Sequence, residues 1–257
     1  VNKIHVHIPY SKVKDYLELI KQERLNLEIY FPSSSLDTLK TEDIERLRDS
    51  LDYGPALSIH APFMDLSPGA LDSKVKALTV ERFTHIVDVA QVLSPEVVVF
   101  HSGYEKWRYA HRVDIWLEAS LGTWRPLIER AALFGTKIAI ENIFEDEPSN
   151  LYLLMKELHS ESIGICFDTG HYNIFSKVLL EEWLGVLGPY IIELHLHDND
   201  KSFDSHLPIG DGTFDFKALF SVLKGKQCVY TIEAHTPEMV LKSMGRLKGL
   251  LGSNDPC

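Results

Sequence analysis

Short apolar runs in this 257-residue chain end repeatedly in a side chain that can bind a metal or move a proton. SIHAP ends in His60, VFHSG in His101 and AIENI in Glu141. CFDTGH supplies Asp168 and His171, and ELHLHDND supplies His195 and His197. The following DSH supplies Asp204 and His206, and TIEAH supplies Glu233 and His235. Imidazole and carboxylate together form the donor sets of Zn²⁺ and Mn²⁺ sites, and carboxylate-rich sets also serve Mg²⁺ and Co²⁺. Paired glutamates such as Glu141 and Glu233 also suit general acid–base transfer. A lone histidine at a strand end is usually a hydrogen-bonded core or rim residue. Six consecutive runs are harder to assign to chance, because His (12) and Asp+Glu (37) make up under one residue in five.

The elements that carry these residues alternate. Strand-length runs fall at Lys3–Ile8, Asn26–Phe31, Ala56–Ala61, Glu96–His101, Lys137–Asn142, Ser162–Asp168, Tyr190–His197 and Cys228–Glu233. Helical periodicity fills Lys12–Glu23, Thr41–Leu51, Ser73–Leu93, Arg112–Phe134, Asn150–Leu158, Lys177–Leu187, Asp215–Leu223 and Pro237–Leu250. Strict strand–helix alternation predicts an α/β protein with a parallel sheet. Eight such units fit a single (β/α)₈ TIM barrel over residues 1–251, with a frayed tail at 252–257. No glycine-rich dinucleotide fingerprint follows the first strand, which weakens the open doubly wound alternative.

In a barrel all six ligand-bearing ends lie on the C-terminal face, where active sites sit. Period-two alternation sets Ser58 with His60, Lys137 and Ala139 with Glu141, and Cys166 with Asp168. The opposite faces carry bulky apolar residues such as Ile59, Ile138, Ile140, Ile165 and Phe167. The ligand types therefore point into the barrel mouth. Carboxylates crowded there need a counter-charge, and a divalent metal is the simplest one. His5, His7, Glu28, His197 and His235 read as supporting residues or substrate contacts.

Composition narrows the class. Hydrophobic residues at 45% and charged residues at 25% describe an ordinary soluble globular chain, expected in the cytoplasm. No signal-peptide pattern opens it and no run reaches membrane-spanning length. Cys166, Cys228 and Cys257 form no C-x-x-C pair and read as reduced thiols. The net charge of −11 does not favour nucleic acid.

The ligand pattern resembles the xylose isomerase-like TIM-barrel superfamily, and within it the endonuclease IV branch (AP endonuclease family 2). The match runs through HAP, HSG, EN, DTGH, HLHD, DSHLPIGDG and IEAH. It implies nine ligands for up to three metal ions. One ion would take His60, His101 and Glu141. A second would share Glu141 and add Asp168, His195 and Glu233. The third would take His171, Asp204 and His206. The inner residues Glu141, Asp168, His195 and Glu233 are also similar to those of sugar and sugar-phosphate isomerases and epimerases.

Two functions follow from the resemblance. The first is metal-activated hydrolysis of a phosphoester, of sugar-phosphate or nucleic-acid type. The alternative is a sugar or sugar-phosphate isomerase or epimerase in which Glu141 and Glu233 shuttle protons. His7, Trp107, Arg108, His197, Lys201 and His235 are the expected substrate contacts. Neither the oligomeric state nor the metal's identity is written in the pattern.

Overall fold

The computed structural model describes residues 3–252. Eight parallel strands close into one barrel in chain order. They are β1 (Lys3–Pro9), β2 (Asn26–Tyr30), β3 (Leu57–His60), β4 (Val97–His101), β5 (Lys137–Glu141), β6 (Ile163–Asp168), β7 (Ile191–Leu196) and β8 (Val229–Ile232). The expected (β/α)₈ barrel is the fold observed.

The helices are α1 (Tyr10–Val13), α2 (Leu17–Gln22), α3 (Ser33–Leu36), α4 (Thr41–Ser50), α5 (Ser73–Leu93), α6 (Val113–Ala132), α7 (Ser149–Leu158), α8 (Thr169–Phe175), α9 (Leu180–Leu187), α10 (Phe216–Val222) and α11 (Pro237–Gly252). The single helix expected over Lys12–Glu23 is broken into α1 and α2. Val13 and Ile20, seven residues apart, keep both pieces seated on the barrel. The short α3 and α8 were not expected from periodicity, being one or two turns long. Gly252 closes α11 instead of opening a frayed tail, while 253–257, with Cys257, lie outside the described residues.

Alternation along each strand divides the interior in two. Outward residues such as Ile138, Ile140, Ile165 and Phe167 join the main core between barrel and helices, with Trp116, Trp124 and Trp183 fully buried there. Inside the barrel, Val97, Val99, Ala139, Cys166 and Val229 form a small apolar floor. Above that floor the inward positions turn polar. The register sets His101 opposite Glu141 and Tyr30 opposite His60.

One irregularity completes the alignment. Ile165 pairs with Ile191, but Cys166 pairs with Glu193, so Ile192 is an extra residue in β7. A regular ladder from Ile165–Ile191 would set Asp168 opposite Leu194; the bulge sets it opposite His195. Gly164 makes the room. A Cβ there would lie 2.6 Å from the Tyr190 carbonyl oxygen and 2.7 Å from Ile192 Cγ2.

Candidate metal centre

The nine residues expected as ligands lie together in one cluster of imidazoles and carboxylates in the barrel mouth. His60 Nε2 and His101 Nε2 lie 3.1 and 3.4 Å from Glu141 Oε2. His195 Nδ1 lies 3.5 Å from Glu141 Oε1, 3.8 Å from Asp168 Oδ2 and 3.3 Å from Glu233 Oε1. Asp204 Oδ2 lies 3.4 Å from His171 Nε2 and 3.0 Å from His206 Nε2. The groups adjoin: His171 Nδ1 is 3.1 Å from Glu141 Oε1, and His206 Nδ1 is 3.4 Å from Glu233 Oε2.

Outer hydrogen bonds fix which imidazole nitrogen faces the acids. His60 Nδ1 donates to the Ala61 carbonyl at 2.8 Å, which leaves Nε2 for Glu141. His171 Nδ1 lies 3.1 Å from both the Asn142 carbonyl oxygen and Glu141 Oε1, while its Nε2 faces Asp204. His195 Nε2 donates to Glu28 Oε2 at 3.1 Å, and its fully buried Nδ1 has no hydrogen-bond partner. An imidazole lone pair and a carboxylate oxygen, both acceptors, repel unless a cation lies between them. Either protons or metal ions must fill these gaps.

The electrostatics describe the proton-filled state. Burial pushes the Glu233 carboxyl up, but His195, His7 and His206 outweigh it and hold the group down at about 2. Burial likewise raises Glu141, yet His195 and His101 pull it well below the carboxylate range. Burial lowers His206, while its hydrogen bond to Asp204 and the Glu233 charge lift it to about 9. Burial opposes the charged form of His171 and His195 too, and their acidic neighbours raise both well above the usual imidazole value. The cage therefore binds positive charge strongly, and it holds protons when no metal competes. The residues present fit a metal centre.

Local sequence explains the placement. Asp168 caps α8 by accepting the His171 N–H at 2.6 Å, so the D-x-x-H spacing returns His171 to the mouth within one turn. Gly170 sits under the His197 ring, where a Cβ would lie 2.0 Å from Cε1; only glycine fits. Asp204 and His206 lie on the β7–α10 loop. Asp198 organises that loop: its Oδ2 accepts the N–H groups of Gly210 and Gly212 at 3.0 and 2.9 Å.

The expected substrate contacts divide. His7 lines the mouth and lies 2.8 Å from Glu28 Oε1 and 3.3 Å from Glu233 Oε1. His197 is fully buried, with Nε2 3.0 Å from Asp168 Oδ2 and its ring stacked on His206 at 4.1 Å. Substrate cannot reach His197 there; it braces the ligands. Arg108 lines the mouth and pairs with Glu105 at 2.6 Å. His235 lies to one side, its ring 5.2 Å from His206. Trp107 and Lys201 stand apart. Trp107 is 77% exposed and packs edge-on against His111, and Lys201 is an exposed loop residue at φ 72°. Neither lines the mouth, because both loops turn these side chains outward.

Glu193 and Asp198 are buried acids next to the cluster that the sequence reading does not single out. Glu193 accepts from Thr231 Oγ1 at 2.6 Å and from Ser58 Oγ at 3.3 Å just below the ligands. Alternation in ELHLH places it on the His195 face, and that signal was available. The mouth opens into a cavity of about 870 Å³. Phe63, Met64, Leu71, Phe144 and Phe175 wall it, and among the described residues Arg108 is the only Lys or Arg on its lining. Lys137, on the inward face of β5, is exposed at the opposite end and neutralises nothing here.

A closed eight-stranded barrel with this ligand-lined mouth belongs to a known class. Residues 25–250 match the family model described as xylose isomerase-like TIM barrel, and the chain is a member of that family. The uncharacterized protein MJ1311 of Methanocaldococcus jannaschii is 33% identical over 223 residues, 83% of this chain and 76% of that one. A solved D-tagatose 3-epimerase-like protein is 30% identical, with TM-score 0.84, covering 98% of this chain and 97% of its own. The TTHB071 protein of Thermus thermophilus, solved after soaking with ZnCl₂, is 26% identical with TM-score 0.82, covering 99% and 100%. Endonuclease IV of the same organism shares the fold at 18% identity and TM-score 0.68, covering 98% and 99%. Among the described residues no helix is long and apolar enough to cross a membrane.

Proposed function

We propose that the protein is a metal-dependent hydrolase of small phosphoesters with up to three Zn²⁺ or Mn²⁺ ions in the barrel mouth. The observation that carries this reading is the clustering of nine imidazole and carboxylate side chains within hydrogen-bond reach of one another in the barrel mouth. Isomerisation on one metal gives no role to His60, His101, His171, Asp204 and His206 as a set. Histidine-rich groups such as His60–His101–Glu141 suit Zn²⁺ or Mn²⁺ better than Mg²⁺. When bound, such ions supply an activated water and neutralise phosphoryl charge. Glu141 spans two of the groups and holds them at fixed separation. Glu28 orients His195, and the apolar walls keep bulk water from the reacting group.

The substrate in this reading is small. Duplex nucleic acid is gripped through several phosphates by Lys and Arg. Here the one wall cation among the described residues, Arg108, is already paired with Glu105.

A second reading, a sugar epimerase or isomerase, rests on a specific observation. Glu141 Oε1 and Glu233 Oε1 lie on either side of His195 Nδ1 at 3.5 and 3.3 Å, so two carboxylates face one mouth as a pair that could exchange protons with a bound sugar. Elemental analysis of purified protein, run beside assays for aryl-phosphate hydrolysis and for ketose epimerisation, separates the two. The hydrolase reading expects about three ions per chain and phosphoester turnover that Asp204→Ala abolishes. One ion per chain, with epimerisation indifferent to Asp204→Ala, would overturn it in favour of the second.

A further inference from the structure

The geometry points to an apolar subsite beside the metal centre, in the seam between α2 and α11, that takes the hydrophobic substituent of the substrate. The inference rests on the phosphoester reading for the substrate's head and on the seam alone for its tail.

A second cavity of about 490 Å³ lies in this seam. Tyr16, Leu19, Ile20, Leu27, Val240 and Leu241 are among its walls. It adjoins the catalytic mouth, since His7, Tyr30, His206 and Glu233 line both spaces. The seam lies beside the broken first helix. α11 packs on α10 and β8, with no comparably close contact to the short α2. Most other neighbouring helices of the ring close against each other, as α4 with α5 and α6 with α7 do.

The chemistry of the walls selects the occupant. Ile20 and Leu27 are buried at its inner end, while Tyr16 and Leu241 are about half exposed at its outer end. Lys12 and Glu23 are the charged groups on the lining away from the mouth. A cavity of this volume accommodates a chain or ring of several carbons. A ligand whose charged end meets the metal centre can place an apolar tail past His7 and His206 against the apolar walls of the seam. The substrate class is therefore a small phosphoester carrying an alkyl or aryl substituent.

The test uses zinc-loaded full-length protein and calorimetric titration with methyl-, butyl- and hexylphosphonate, alongside 1-butanol and 1-hexanol as probes without the head. Phosphonate affinity is expected to rise about fourfold per buried methylene. Leu19→Glu and Leu241→Glu should each flatten that rise and leave methylphosphonate affinity unchanged. Melting curves confirm that each variant is folded, and Leu241 is exposed enough to accept the charge. Flat chain-length dependence of both phosphonates and alkanols in the unmodified protein overturns the proposal. So does a steep dependence that survives both substitutions. If a second copy of the chain covers the seam instead, Leu241→Glu changes the sedimentation behaviour and leaves the chain-length dependence intact, which also overturns it. Alkanols that bind more tightly with length, lose this in both variants and compete with no phosphonate would uphold the subsite while the phosphoester reading alone failed.

Discussion

Glu28 holds His195 from behind. Its Oε2 accepts from His195 Nε2 at 3.1 Å, and the other imidazole nitrogen is thereby turned, unprotonated when the ring is neutral, toward Glu141, Asp168 and Glu233. The same carboxylate lies 2.8 Å from His7 through Oε1. One buried acid on β2 thus orients an imidazole on β7 and a mouth residue on β1.

Removing that carboxylate should weaken the metal centre without dismantling the barrel. Glu28→Gln can donate where Glu28 accepts, so it favours the wrong tautomer of His195. Loss of such a support costs roughly 10- to 100-fold in metal affinity. Competition with a zinc chelator measures it, and unchanged affinity would show that Glu28 has no orienting role.

Glu141→Gln should lose metal as well as activity. Glu141 touches two ligand groups through its two oxygens, Oε2 toward His60 and Oε1 toward His195 and His171. An amide cannot serve both as anionic donors. Elemental analysis is expected to show fewer ions per chain than in the unmodified protein. Full occupancy would mean that Glu141 acts as a base on a single-metal site.

Chelation should leave the protein folded. The main core lies between barrel and helices and does not include the ligands. Metal binding to the native state contributes by mass action, about 4 kcal/mol when free metal is 1,000 times the dissociation constant. A chelator is therefore expected to lower the melting temperature and preserve the far-ultraviolet circular dichroism at 25 °C. Loss of that signal at 25 °C would refute the expectation.

How much of this was legible in the sequence depends on the kind of feature. Strand ends such as His60, His101 and Glu141 could be read because apolar runs mark strands and alternation marks faces. The β7 bulge could not, since a single extra residue leaves the local pattern of YIIELHLH unchanged. The break after Val13 was hidden for the same reason: its apolar spacing fits a continuous helix equally well. The direction of Trp107 and Lys201 is set by loop conformation, which carries no periodicity. Glu193 was readable from ELHLH but was masked by the histidines beside it.

His5 gives the barrel interior its own acid sensitivity. Burial drives its pKa down from 6.5 to about 4 despite the nearby Glu28 charge. Between these values the unfolded chain binds the proton and the folded chain does not, so stability falls as acid is added. The contribution is complete above pH 6.5 and is lost as pH drops to 4, at most about 3 kcal/mol at 1.36 kcal/mol per unit. Metal-free His5→Gln should show a shallower loss of unfolding free energy over that window than the metal-free parent. Parallel slopes would contradict the assignment.

Gly164→Ala should be costly although the residue lies well away from the ligands. The added methyl meets a backbone oxygen at 2.6 Å, which cannot move without shifting β7. Overpacking of this kind costs about 1–3 kcal/mol. For a chain of this size that is a fall of roughly 2–4 °C in melting temperature per kcal/mol. An unchanged melting temperature would show that β7 yields freely.

The bulge at Ile192 also makes the barrel a counting device with one tolerant position. Ile192 and Glu193 both face inward, so the strand changes phase there and nowhere else along its length. Deleting Ile192 would restore an even ladder and still bring His195 level with Asp168. Deleting Leu194 instead would invert everything above it and turn the imidazole into the apolar layer. Two single-residue losses, two positions apart, thus have opposite consequences for the chemistry: at the bulge the strand can lose a residue and keep its alignment, and above it each residue has a fixed parity.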